Sequence, residues 1–480
     1  MIKRTLNSLF DIDLRSLVAF RIAAGLLALY DALIKFPHIR WLYSTDGYRD
    51  FSAEFFSRSL WIHQLIANLS LQQWQMLIGL QAIAGIFLII GWRPKVWLVV
   101  WLIILRLTMR RNDLAAHIGD LVFTFFCYWI LFLPLKFSST GSFLKQTEVV
   151  KSSWSWPVTL PYFVQLFSLY FFAGFTKLAH DSWQQGLFFV RNIQSEGVFE
   201  SYGFVAQFPW LLQGISYALP LLQILLSLLL LAPWKKAWIH GGIFAFWAFF
   251  HFIGYLLVSD ATMYWFLMVP LMVLIPKEFW NALGRWRYAS FSEEEKTVED
   301  PSKNPKASAV KKTYGKVKAT LAILACLVIV SSNYLSLYHD ENPKMQKYFE
   351  ILSRTFLYQF WFVFSDFSPQ HNNYFFYVKE HKDDTELFLL PRVDRADSLI
   401  AGRFHVMKRA IHNTYEKERW VAALCLDHSE KRKVEIYSIV VKRYIRKFSD
   451  EPPLKPTITY ADEQEYICHD LIARHMGRYN

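Results

Sequence analysis

The sequence predicts a mainly α fold: a polytopic membrane helical bundle of about nine spans with a C-terminal extracytoplasmic α+β domain. Three observations predict it. Apolar runs approaching the ~20 residues that cross a bilayer recur along the first two thirds of the chain. Lys and Arg crowd into alternate loops between those runs. After the last run the pattern changes to short alternating stretches.

The runs, in order, are Leu17–Phe36, Met76–Trp92, Val96–Leu107, Ile118–Leu135, Leu160–Leu178, Leu211–Pro233, Ala237–Val258, Thr262–Pro276 and Ala319–Leu337. Val96–Leu107 and Thr262–Pro276 are short, so eight or ten spans stay open. A hydrophobic share of 54% with 18% aromatics exceeds what a soluble chain of this length carries. The first run is too long for a signal-peptide core and lacks a small-residue cleavage site, so it reads as a retained anchor. Lys and Arg number twenty in one set of loops, ten of them between Lys277 and Lys318, against eight in the other. The N-terminus is therefore expected in the cytoplasm and the C-terminal domain outside. The net charge of +12 is read as this topology signal. Nothing resembles a nucleic-acid-binding motif, and no nucleic-acid partner is expected.

Residues 1–338 are expected to form the bundle and 339–480 the outer domain. Phe51–Asn68 reads as an interfacial amphipathic helix, Trp154–Pro157 as an interfacial turn, and Ser292–Lys318 as a flexible cytoplasmic linker. In the outer domain Tyr374–Val378, Glu386–Leu390 and Val434–Val441 read as strands. Ser398–Trp420 and Ala461–Arg474 read as helices. The four cysteines form no CxxC, so zinc or thioredoxin-type chemistry is not expected, and a Cys425–Cys468 disulfide is open if the domain is exported.

The usual soluble-enzyme motifs are absent: no GxSxG elbow, no phosphate loop, no HExxH and no dinucleotide fingerprint. Chemistry must come from groups in or beside the membrane. Lys177, in "YFFAGFTKLAHDSWQQG", ends an apolar run. It reads either as a lysine snorkelling to the headgroups or as a base, because withdrawing water from an amine disfavours its charged form. His251, in "WAFFHFIGY", lies ~21 Å along its span at 1.5 Å per residue. It reads either as a core histidine or as a group sharing a cavity with Lys177. The loop "RRNDLAAHIGDL" concentrates Arg110, Arg111, Asn112, Asp113, His117 and Asp120. They form either a solvated stop signal or a binding set; no spacing there resembles a metal-ligand pair, and no metal is expected. Arg21 and Asp31 are ~15 Å apart along the first span, so each needs a partner on another helix. Trp361, Phe364 and Pro369 read as packing of the outer domain on the bundle.

"RSLVAFRIAAGLLALYDAL", "DGYRDF", "RRNDLAAHIGDLVFTFFCYWILFLPL", "YFFAGFTKLAHDSW", the histidine of "FFHF" and "WFVFSDFSP" occur in the order found in HTTM-domain proteins. Over about Arg15–Pro369 the chain resembles that family, bacterial relatives of the vitamin K-dependent gamma-carboxylase. The resemblance implies that Lys177 is the base acting on reduced vitamin K or a related isoprenoid hydroquinone. His251 would then lie in the quinone-binding region. It implies O2 and CO2 as co-substrates and a Glu-containing exported protein or peptide as partner, beside membrane lipid. The chain departs from the animal enzyme in having Thr176–Lys177 for two adjacent lysines, Asn112–Asp113 for an Asn-His pair, and a much shorter outer domain. The alternative is a non-catalytic membrane module that holds lipid or quinone and docks an exported partner. A transporter is the third reading, with no internal repeat to support it.

Overall fold

Helices form wherever the sequence carries its apolar runs. The structure, a computed structural model, describes residues 9–44, 66, 68–112, 116, 118–133, 135, 153–154, 158–194, 202–232, 236–257, 261–287, 305–338, 370–380, 382, 388–389, 418–419, 421–426, 429, 436–451 and 454–475. A two-residue strand β1 (Ile12–Asp13) leads into α1 (Leu14–Lys35), followed by a short α2 (Ile39–Tyr43), then α3 (Leu71–Ile90), α4 (Pro94–Arg111) and α5 (Ile118–Ile130). Next come β2 (Ser153–Trp154), α6 (Leu160–Leu178), the short α7 (Asp181–Gln184) and α8 (Phe188–Asn192), and α9 (Pro209–Leu229). The bundle ends with α10 (Lys236–Leu257), α11 (Ala261–Leu271), α12 (Lys277–Arg287) and α13 (Pro305–Tyr338).

Among the described residues each of the nine expected apolar segments lies on a helix. Five stretches are long and apolar enough to cross a membrane: Leu14–His38, Leu71–Ile90, Pro209–Leu229, Ala237–Tyr255 and Val317–Tyr334. Met263–Leu274 and Lys277–Leu283 make a pair bent by 88°. The apolar side chains left on the outside fit a lipid-facing surface. Met76, Ile83, Ile86 and Ile90 stand exposed along α3, which in water would be a large apolar patch.

Local chemistry sets the helix ends. Asp13 accepts a bond from the Arg15 amide at 2.8 Å to cap α1. Ser70 and Gln73 form a reciprocal capping box at the start of α3. Proline at the first turn opens α4, α6 and α9, where a missing amide proton costs nothing. The expected turn at Trp154 is in part the strand β2, paired antiparallel with β1. The linker expected over Ser292–Lys318 is already helical from Pro305 on, as the start of α13.

Close packing follows small residues. A Cβ on Gly25 would lie 2.7 Å from the carbonyl oxygen of Gly85, and one on Gly85 the same distance from that of Gly25, so α1 and α3 touch backbone to backbone. Beside this contact the Lys35 ammonium, fully buried, meets Asp31 Oδ2 at 2.5 Å, and Gln81 Nε2 of α3 reaches the same oxygen at 2.9 Å. Asp31 thus takes its ion-pair partner from its own helix, one turn on, as well as a bond from another helix. Arg21 Nη1 donates to the Leu135 carbonyl at 3.4 Å.

The C-terminal region holds a four-stranded antiparallel sheet of order β4-β3-β5-β6 (β3 Gln370–Lys379, β4 Phe388–Leu389, β5 Ser438–Lys447, β6 Thr457–Ile467), with α14 (Cys468–His475) after it. The helix expected over Ala461–Arg474 is therefore helix only from Cys468. Pairing with β5 holds Ala461–Ile467 extended as the second part of β6, despite the acidic, helix-favouring composition of Ala461–Glu465. Most of Ser398–Trp420, almost all of Phe51–Asn68, and Trp361, Phe364 and Pro369 lie outside the described residues. Cys425 and Cys468 are joined in a disulfide across 43 residues. Replacing either by serine is expected to destabilise the domain by roughly 2–5 kcal/mol. A thermal unfolding midpoint unchanged from that of the oxidised wild type would contradict this.

One buried cluster joins Ile34, Ile39, Leu42 and Trp74 of the bundle to Val378, Ile439 and Leu471 of the sheet region. A second link is polar. Arg191 makes a bidentate ion pair with Asp450, both bonds at 2.8 Å, and Gln194 exchanges bonds with the backbone of Ser449. The sheet therefore sits against the end of the bundle where α1 and α6 finish.

Candidate functional site

The site forms where α6 crosses α9. Gly174 permits it: a Cβ there would stand 2.7 Å from the Pro220 carbonyl oxygen and 2.9 Å from the Gln223 Cβ. Pro220 sits inside α9. Gly174→Val would force backbone against backbone and is expected to cost about 1–3 kcal/mol by overpacking. A variant with wild-type thermal stability in detergent would argue against that close approach.

Three residues on from Gly174, Lys177 is only 7% exposed. Its Nζ donates to the Ala173 carbonyl at 3.2 Å and stands 5.6 Å from the Trp183 ring centroid, in cation–π range. Trp183 is held in turn by stacking on Phe188 at 4.0 Å. Gly186, at φ +71°, turns the chain between α7, which carries Trp183, and α8, which carries Phe188. Ser216 of α9 fixes α8 by accepting from the Phe189 amide at 3.0 Å while donating to the Leu212 carbonyl.

His251 of α10 lines the same cavity. Its Nε2 lies 2.9 Å from the Tyr170 hydroxyl, and Tyr170 stacks almost flat on Trp247, with ring centroids 4.1 Å apart and planes at 11°. Tyr170 is two helical turns before Lys177, so both lie on one face of α6. Lys177, His251, Tyr170 and Gln223 line one cavity of about 400 Å³, whose other walls come from α5, α8, α10 and α11 and are mainly aliphatic and aromatic. A buried amine, an imidazole hydrogen-bonded to a phenol and a side-chain amide thus meet in an apolar chamber. Such a chamber suits an apolar molecule with a few polar atoms.

No family model, curated protein or solved structure matches this chain.

The other expected site residues are placed elsewhere. Arg111 is buried, with Nε bound to the Tyr43 carbonyl at 2.6 Å and an Nη to that of Ser44. Asn112 Nδ2 donates to the Leu42 carbonyl at 3.0 Å. These side chains tie the end of α4 to the carbonyl end of α2, where positive and donor groups are favoured. Arg110 is exposed and Asp120 buried, and neither they nor Arg111 and Asn112 line the cavity. Asp113 and His117 lie outside the described residues. Among the described residues no group of three or more His, Cys, Asp or Glu side chains could hold a metal ion. Sequence reasoning passed over Tyr170, Trp247 and Gln223. The signal for Tyr170 was its two-turn spacing from Lys177, and for Gln223 its polarity inside an apolar helix.

Proposed function

We propose that the chain is a vitamin K-dependent gamma-carboxylase-like integral membrane protein of the HTTM family. On this reading it crosses the membrane nine times, with the N-terminus cytoplasmic and the C-terminal domain extracytoplasmic. Its cavity takes reduced vitamin K or a related isoprenoid hydroquinone. The observation that carries this is the meeting of Lys177 and His251, from helices far apart in sequence, on one apolar cavity. The orientation draws support from the Cys425–Cys468 disulfide, which belongs in an oxidising compartment.

When bound, the hydroquinone supplies, through its oxidation by O2 to the epoxide, the base strength that removes a glutamate γ-proton so that CO2 can add. The rest falls to the chain's own side chains. Lys177, as the neutral amine, takes the first proton from the ring hydroxyl on its lone pair, while one N–H stays on the Ala173 carbonyl. The bond between His251 and Tyr170 fixes the imidazole in the cavity wall, where it would help to hold the ring. Trp183, Phe188 and the aliphatic wall exclude the water that would otherwise quench a strong base. Asn112, Asp113, His117, Asp120, Arg110 and Arg111 have no step in this scheme.

The bond from Lys177 to Ala173 also favours a second reading. A lysine that only caps its own helix makes this contact, and the chain would then be a non-catalytic module that holds quinone or lipid and docks an exported partner through its outer domain. The test uses protein in lipid nanodiscs with reduced vitamin K, O2, labelled bicarbonate and a Glu-containing peptide. Epoxide formation with label in the peptide is the expected result. Saturable quinone binding with neither product would support the second reading instead.

A further inference from the structure

Two residues lining the cavity hold a buried polar atom without a hydrogen-bond partner among the described residues: Gln223, at Oε1, and His251, at Nδ1. Gln223 is the more telling. It is 4% exposed, and its side chain leaves α9 beside Gly174, on the wall that also carries Lys177. An amide oxygen in an apolar chamber is an acceptor awaiting a donor. The two redox forms of a quinone differ in this respect. A hydroquinone ring oxygen carries a proton to donate, whereas a quinone oxygen only accepts.

We infer that Gln223 is a specificity-determining residue that selects the reduced, hydroxyl-bearing form of the ring by accepting a hydrogen bond at Oε1. This rests on the reading of the cavity as a hydroquinone site. The quinone leaves the acceptor unpaired, so it binds more weakly. One neutral hydrogen bond gained or lost is on the order of tenfold in affinity. The imidazole, already held by Tyr170 through Nε2, has its Nδ1 left for a ligand in the same cavity.

The experiment measures binding of a short-tailed naphthoquinone and of its dithionite-reduced hydroquinone to the full chain in nanodiscs. Oxygen is excluded so that nothing turns over, and quenching of tryptophan fluorescence reports binding. Wild type is expected to hold the hydroquinone about tenfold more tightly than the quinone. Gln223→Met, similar in length but without the acceptor, is expected to bring the two affinities together by weakening the reduced form alone. Gln223→Glu, which keeps an acceptor, is expected to retain the preference. Equal affinities in wild type, or an unchanged preference in Gln223→Met, overturn the role of Gln223 while leaving the cavity a quinone site. Binding of neither form by wild type overturns both. If Gln223→Met does not fold, Gln223→Leu takes its place in the comparison with Gln223→Glu, because the Lys177 amine on the same cavity also favours a hydroxyl-bearing ring and the wild-type ratio does not separate the two.

Discussion

Lys177→Ala is expected to lower turnover on a reduced quinone by about 10²- to 10⁴-fold, the range a positioned general base contributes. Binding of the hydroquinone should stay within a few-fold, because the cavity wall is mainly apolar and that surface survives the change. Lys177→Arg separates charge from basicity. A guanidinium keeps the positive charge and much of the reach but does not give up its proton in a protein. If Lys177 serves as a base, the arginine variant is as slow as the alanine variant. If it only caps α6 through the Ala173 carbonyl, arginine restores activity. Epoxide formation by the alanine variant at the wild-type rate would remove the lysine from the chemistry altogether.

The second large effect is on stability, well away from the cavity. Asp31→Ala leaves the fully buried Lys35 ammonium without its carboxylate, and a broken buried pair costs about 3–5 kcal/mol. The double change Asp31→Leu with Lys35→Met removes both charges and should recover most of that loss, since well-packed apolar residues replace such pairs at little cost. Thermal unfolding in detergent reads both variants. A double variant as unstable as Asp31→Ala would mean that the pair's other contacts, such as that from Gln81, matter more than the charge balance.

The helical segments were legible because each is a long apolar run, a signal that survives without tertiary information. Lys177 and His251 stood out as ionisable groups in such runs. Gln223 did not, because its place depends on α9 docking against Gly174, which only the folded bundle reveals. The loop after α4 misled for the opposite reason. Its charges look like a binding set, yet Arg111 and Asn112 are engaged by the carbonyls of Leu42, Tyr43 and Ser44. Asp31 has the partner on another helix that its span called for, Gln81 of α3, while its counter-ion Lys35 stands one turn on in its own helix. Ala461–Ile467 reads as helix from composition, and its pairing with β5 holds it extended.

The most direct test is photolabelling with an azido-naphthoquinone in nanodiscs, followed by peptide mapping. Labels are expected on the stretches that wall the cavity, Leu211–Gln223, Phe246–Gly254 and Met263–Leu267, and should disappear when excess reduced vitamin K competes. Labelling confined to lipid-facing side chains such as Met76, Ile83 and Ile86, and untouched by the competitor, would contradict a quinone site beside Lys177.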